Sequence, residues 1–119
     1  MQRCIEIDTL IVMKPISFLG DSRDAIRGFP DGARYRAGVE LRAVQNGLEP
    51  DDWKPIATVG PGVREIRIRD ASGAFRIVYL ATLPGLVLVL HAFQKKTQQT
   101  TKRDIELAAR RLKRWEAQP

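Results

Sequence analysis

The 119-residue sequence holds one histidine, His91, one cysteine, Cys4, and 20 lysines and arginines against 14 acids. That inventory restricts the available chemistry. One histidine and one cysteine cannot form a His/Cys metal cluster. No serine–histidine–aspartate arrangement and no acid pair at catalytic spacing stands out, so metalloenzyme and ordinary hydrolase readings lose ground and no metal or cofactor is expected. His91 is the one side chain whose unperturbed pKa lies near neutrality, which suits a general acid or base. It stands inside V-L-V-L-H-A-F (87–93), however, where a histidine hydrogen-bonded within an apolar strand is an equal reading. The remaining candidates are cations, and they are unevenly placed. Residues 1–60 carry 8 Lys/Arg and 9 Asp/Glu, a balance of −1, while residues 61–119 carry 12 and 5, a balance of +7. A one-sided basic surface concentrates polyanions and neutralises phosphates, although charge alone leaves an acidic protein or an anionic membrane surface open.

These groups must be positioned by a small fold. Lys14 to Gly20 reads as a first strand, and Asp21-Ser22-Arg23-Asp24 as a capped start of a short helix ending at Gly28. After the break at Phe29-Pro30-Asp31-Gly32, the spacing of Ala37, Leu41, Val44 and Leu48 predicts a longer second helix. Residues 49–62, rich in Pro, Asp and Gly, read as an irregular loop. Its Gly60-Pro61-Gly62 is a turn rather than a phosphate loop, since no Gly-Lys-Ser/Thr follows. Three strands, Val63 to Arg69, Phe75 to Leu80 and Leu86 to Phe93, then form an antiparallel meander, with Ile66 and Ile68 on one face of the first and Glu65, Arg67 and Arg69 on the other. Thr101 to Asp104 is a capping pattern that opens a C-terminal helix with Ile105, Ala108, Leu112 and Trp115 on its apolar stripe. The order β-α-α-β-β-β-α defines an α+β fold, an antiparallel sheet packed against helices.

A chain this short fits one domain. The longest apolar run, Leu83 to Ala92, is interrupted by Pro84, Gly85 and His91 and is far below the roughly 20 residues a membrane span needs. The N-terminus lacks the basic flank and cleavage site of a secretory signal. A lone cysteine fits a reducing compartment, so the expectation is a cytoplasmic protein without membrane attachment, in which Cys4 is a bland thiol.

Seven segments together resemble the RelE/ParE toxin superfamily, in particular its phage-derived, HigB-like toxins of toxin–antitoxin pairs. They are F-L-G-D-S-R-D (18–24), F-P-D-G-A-R (29–34), W-K-P-I (53–56), V-R-E-I-R-I (63–68), F-R-I-V-Y (75–79), V-L-H-A-F-Q-K-K-T (89–97) and D-I-E-L-A-A-R-R-L (104–112). The resemblance implies a RelE-like domain over residues 14–116, with residues 1–13 as an extension. Met13 directly precedes the match, so the first twelve residues are either a mis-chosen start or a poorly ordered segment. It also implies mRNA cleavage, often inside the ribosome, and a cognate antitoxin, commonly a helix-turn-helix protein. The oligomeric state is left open.

RNA is cut without metal when its 2′-hydroxyl attacks the adjacent phosphorus, giving a 2′,3′-cyclic phosphate and a free 5′-hydroxyl. The enzyme must move protons and stabilise charge on phosphorus. By match to the family's strand arginine, Arg76 is assigned to the phosphate, against the reading that it snorkels from the sheet or merely pairs with Glu65. Arg67, on the neighbouring strand, is a second phosphate contact or else a solvated cross-strand ion pair. Lys95 or Lys96 should project beside Arg76, to hold phosphate or to transfer a proton if clustered cations depress its pKa. Lys54 is a candidate for the RNA backbone, and Tyr79 belongs to the core. The helix face carrying Arg103, Arg110, Arg111, Lys113 and Arg114 clamps RNA, docks the antitoxin or is simply solvated. The competing functions are a ParE-like inhibitor of DNA gyrase that cuts nothing, and a catalytically silent phage-derived binding protein.

Overall fold

The computed structural model describes residues 13–96 and 99–119. Cys4 and the first twelve residues lie outside them. The chain runs β1 (Ile16–Phe18), α1 (Ser22–Arg27), α2 (Asp31–Gln45), β2 (Trp53–Pro55), β3 (Val63–Asp70), β4 (Gly73–Leu80), β5 (Val87–Lys95) and α3 (Lys102–Glu116). The five strands form one sheet in the order β1-β5-β4-β3-β2.

The α+β class and the antiparallel meander of the three long strands are as the sequence predicts. Two features differ. The segment read as an irregular loop contains β2, paired antiparallel with β3, so that Trp53 faces Ile66 and Lys54 faces Glu65. Three residues flanked by Asp, Pro and Gly leave too little alternation to reveal a strand, and it is the partner β3 that supplies the order. Arg64 stacks on Trp53, its guanidinium carbon 3.8 Å from the ring centroid, and anchors this edge. The sheet is also mixed rather than wholly antiparallel, because β1 runs parallel to β5, Ile16 beside Val87 and Phe18 beside Val89. The two helices between β1 and the meander carry the chain across one face, which allows β1 to join the far edge in the parallel sense.

Both faces are covered, in different ways. Against α1 and α2, Phe29, Ala33, Ala37, Leu41 and Val44 meet Ile66, Ile68, Phe75, Ile77, Tyr79, Val87 and Val89. Against α3, Ala108, Leu112, Ile105 and Trp115 meet Val63, Val78, Leu80, Leu88 and Leu90, so the predicted helical stripe is the buried one. The double cover accounts for the continuous apolar run Val87–Leu90 that opens β5.

The helix ends follow local chemistry. The Thr101 side chain accepts the Asp104 backbone N–H at 3.2 Å, as the capping pattern predicts. Asp21, by contrast, precedes α1 without capping it through its side chain. Its carboxylate takes the Arg111 guanidinium at 2.7 Å instead, which ties the first helix to the last. α2 stops at Gln45, and Gly47 turns the chain at a φ of +80°. Leu48 therefore leaves the predicted stripe and is 65% exposed.

The Asp21–Arg111 tie gives a pH prediction. The Arg111 hydrogen bond holds the Asp21 carboxyl below its ordinary pKa. A depressed carboxyl contributes stability that is present above its unfolded-state pKa and is lost as pH falls through the folded-state value. Asp21 is largely exposed, so the contribution is small and screened by salt. In urea titrations, Asp21→Asn should narrow its stability deficit against wild type as pH is lowered through the carboxylate range. A deficit that stays constant with pH would sink the linkage.

Candidate functional site

On the α3-facing side of the sheet, Arg76 and Glu65 are buried, while Arg67 and Lys95 are half-buried. Beyond the helix's first turn, period-2 alternation puts Glu65 and Arg67 of β3 on this face, and register aligns Arg67, Arg76 and Phe93 across three strands. The next row is Lys54, Glu65, Val78 and His91. Lys95 stands opposite Ala74 in a third row.

A single irregularity in β5 makes this assembly. Val78 pairs with His91 while Tyr79 pairs with Val89, so Leu90 is an extra residue in the ladder. Before it, Val87 and Val89 face α1 and α2, and Leu88 and Leu90 face α3. Strict alternation would send His91, Phe93 and Lys95 to the α1/α2 side. The bulge reverses the parity and brings them to the side of Arg76.

At the centre lies an ion pair. Arg76 is 4% exposed and Glu65 is fully buried, with Nε and Oε1 3.5 Å apart. That separation is long for a direct hydrogen bond, and neither atom has a hydrogen-bond partner among the described residues. The other carboxylate oxygen of Glu65 accepts the Thr100 hydroxyl at 2.6 Å, and Arg76 Nη1 donates to the Phe75 carbonyl at 3.1 Å. Burial lowers the Arg76 pKa from its ordinary value and the Glu65 charge opposes it, while Arg67 and Arg69 push it the same way as burial. Arginine nevertheless stays protonated. Arg76 is thus both buried and paired, the alternative the sequence left open for it.

Lys95 belongs to the same cluster. Desolvation, then the Arg76 charge, lowers its pKa, and the charges of Glu65, Lys54 and Arg67 also reach it. It sits at the end of β5 rather than after it. Arg67 lies 3.9 Å from Asp52 through Nε, a loose contact that leaves its side chain about a third exposed. Lys54 and Lys96 are exposed at either end of the cluster.

His91 is held apart from this centre by Val78 in its row. Its Nε2 lies 2.8 Å from Asp104 Oδ1, and its ring stacks on Phe93 at 4.9 Å. The other oxygen of Asp104 takes the Thr101 hydroxyl at 2.6 Å. His91 is 7% exposed and Nδ1 has no partner among the described residues. The ring thereby pins the first turn of α3 to β5.

The helical candidates divide. Arg103, Arg110 and Arg114 are exposed on α3, with Lys113 beside them. Arg111 is only 14% exposed, and its fork is spent on the Leu90 carbonyl at 3.0 Å and on Asp21. It fastens α3 to the sheet rather than facing a ligand.

Sequence reasoning named Glu65 as a residue of the polar strand face and a partner for Arg76, named Asp104 only as part of the capping pattern, and passed over Thr100. An acid among arginines at period 2, in V-R-E-I-R-I-R, was the available signal for Glu65. For the two α3 contacts no local signal exists, since they arise from the helix docking on the sheet. No group of His, Cys, Asp and Glu among the described residues could hold a metal ion. No helix among them is long and apolar enough to cross a membrane.

The fold and the site define a small α+β protein with a basic cluster on the α3-facing side of its sheet. The chain belongs to the family described as phage derived protein Gp49-like (DUF891), which it matches over residues 24–113. That family lies within the RelE/toxin-like superfamily and is commonly found as the toxin of toxin–antitoxin pairs. No curated protein sequence matches the chain.

Proposed function

We propose that the protein is the toxin of a toxin–antitoxin pair, HigB-like within its superfamily, with the activity of a metal-independent mRNA endonuclease working in the cytoplasm on ribosome-bound message. The observation that carries this reading is the convergence of Arg76, Arg67, Lys54 and Lys95 around Glu65 on one face of the sheet, with Arg76 buried, Arg67 and Lys95 half-buried and Lys54 exposed. Four cations around one carboxylate leave a net positive site that suits a phosphate acquiring charge as the 2′-hydroxyl attacks. Arg76 and Arg67 stabilise that charge, Lys95, with its lowered pKa, serves in proton transfer, and His91 is the second proton-transfer candidate. Arg103, Arg110 and Arg114 give the approaching RNA a wider basic surface, with Lys54 and Lys96 at the margin. The partner of the free toxin is an antitoxin of the helix-turn-helix kind.

Translating ribosomes incubated with purified protein should yield truncated messages with 2′,3′-cyclic phosphate ends, unaffected by chelators. Intact messages together with slowed supercoiling would point to a gyrase inhibitor instead. A second reading, a catalytically silent RNA binder, draws on the burial of Arg76 and His91. It predicts salt-steep RNA binding without any cut ends.

A further inference from the structure

We propose that Glu65 is the positioning residue of this cation cluster: it sets the Arg76 guanidinium so that one side of its fork is presented to phosphate. The proposal rests on the nuclease reading and adds a residue to it.

The reasoning begins with the donors of Arg76. Its Nε side faces Glu65 at 3.5 Å, and Nη1 is engaged by the Phe75 carbonyl at 3.1 Å. No partner for Nη2 is found among the described residues. Nη1 is therefore bonded to the protein and the Nε side is turned to the Glu65 charge without a direct hydrogen bond, so Nη2 is the side a phosphate oxygen can take. Glu65 itself is fixed from the opposite direction, by the Thr100 hydroxyl at 2.6 Å. Thr100 immediately precedes Thr101, the N-cap of α3, so the seating of that helix and the setting of Arg76 are linked through one carboxylate.

A buried acid with no catalytic contact is otherwise unfavourable, because a desolvated carboxylate is tolerated only with charge partners and hydrogen bonds. Glu65 is fully buried and does not reach solvent, so it acts through Arg76 rather than on RNA. Its position opposite Lys54, two residues before Arg67 on the same strand and diagonal to Arg76 in the register, is the one from which a single negative charge can keep several like charges together before substrate arrives. Without it, Arg67 and Arg76, directly cross-strand, would repel each other and the guanidinium would turn away.

The test compares wild type with Glu65→Gln, which keeps shape and the Thr100 contact but removes charge, and with Thr100→Val, which keeps the charge but frees the carboxylate. Cleavage of ribosome-bound message is measured at saturating and limiting message. Misplacing a charge-stabilising group by about 1 Å lowers rate by about 10²-fold, so Glu65→Gln should lose about that factor in kcat with KM little changed. Thr100→Val should show a smaller loss of the same kind. Independently of cleavage, the ¹⁵N–¹H resonance of Arg76 Nε is recorded in the same proteins. In wild type it should exchange slowly with water, and in Glu65→Gln it should shift and exchange faster. Wild-type kcat in both variants would overturn the proposal, and so would an Nε resonance that ignores the substitution at 65. Wild-type protein that leaves messages intact would end the nuclease reading, and the Nε resonance would still decide whether Glu65 sets the guanidinium.

Discussion

Replacing Arg76 with alanine is expected to lower the stability of the fold by about 3–5 kcal/mol, in addition to abolishing cleavage, because it strands a fully buried carboxylate. A domain of this size has a total stability of about 5–15 kcal/mol, so the loss is a large share and corresponds to a fall in Tm on the order of 15 °C. The magnitude comes from Glu65 rather than from the arginine. Desolvating one carboxylate is unfavourable by several kcal/mol, and the Thr100 hydroxyl offsets only part of it. An alanine at 76 therefore cannot by itself separate catalysis from folding. The pair Glu65→Leu with Arg76→Met can, since apolar replacement of a buried ion pair is commonly neutral or stabilising. Thermal and urea unfolding should find the single variant crippled and the double variant near wild type, with both inactive on messages. An Arg76→Ala protein as stable as wild type would mean that Glu65 is not a buried anion. Cleavage by a folded double variant would remove Arg76 from the site.

The second large effect is expected at Lys95. Its pKa is lowered by desolvation and by the neighbouring Arg76 charge, and a lysine moved toward neutrality is fit to exchange a proton, whereas an arginine is not. Lys95→Arg keeps the charge and should retain RNA affinity while losing about 10²–10⁴-fold in kcat, the usual worth of a positioned acid or base. Lys95→Ala should lose affinity as well. The sign of the pH dependence follows from the direction of the shift: the rate limb governed by Lys95 should fall below the ordinary lysine range, and Glu65→Gln, by removing the charge that opposes the shift, should move it lower still. Arginine supporting full kcat at 95 would reduce this residue to a phosphate contact. Neither variant at 95 should alter stability greatly, so unfolding curves separate this prediction from the one at 76.

Much of the fold was legible in the sequence because it is local. The Thr101 cap, the stripe of Ile105, Ala108, Leu112 and Trp115, and the turn between β3 and β4 are each specified by residues within a few positions of one another. At that turn Asp70 accepts both the backbone N–H and the hydroxyl of Ser72, and Gly73 takes a φ of +136° that other residues avoid. What local pattern could not supply was pairing. β2 has three residues and owes its conformation to β3, and Asp21 offers a cap by type but is drawn to Arg111, 90 residues away. Arg111 looked like one more cation of a basic helix, yet its direction on the helix turns it inward to the Leu90 carbonyl. Gly20, two residues before α1, takes a φ of +57° that other residues avoid, and a Cβ there would also press on that same guanidinium.

By itself, then, the sequence determined that the protein is a basic α+β domain, that its positive charge lies in the second half, and that Arg67 shares a strand face with Glu65, since charge and period-2 alternation are properties of the chain alone. Which cations meet was decided by the tertiary structure. One extra residue at Leu90 switches the parity of β5 and delivers Phe93 and Lys95 to the face of Arg76, and no periodicity in V-L-V-L-H-A-F announces it, because every residue before His91 is apolar on both sides. The burial that turns Arg76 and Glu65 into a desolvated ion pair comes from the sheet and the docking of α3, and only three-dimensional packing sets a desolvation energy.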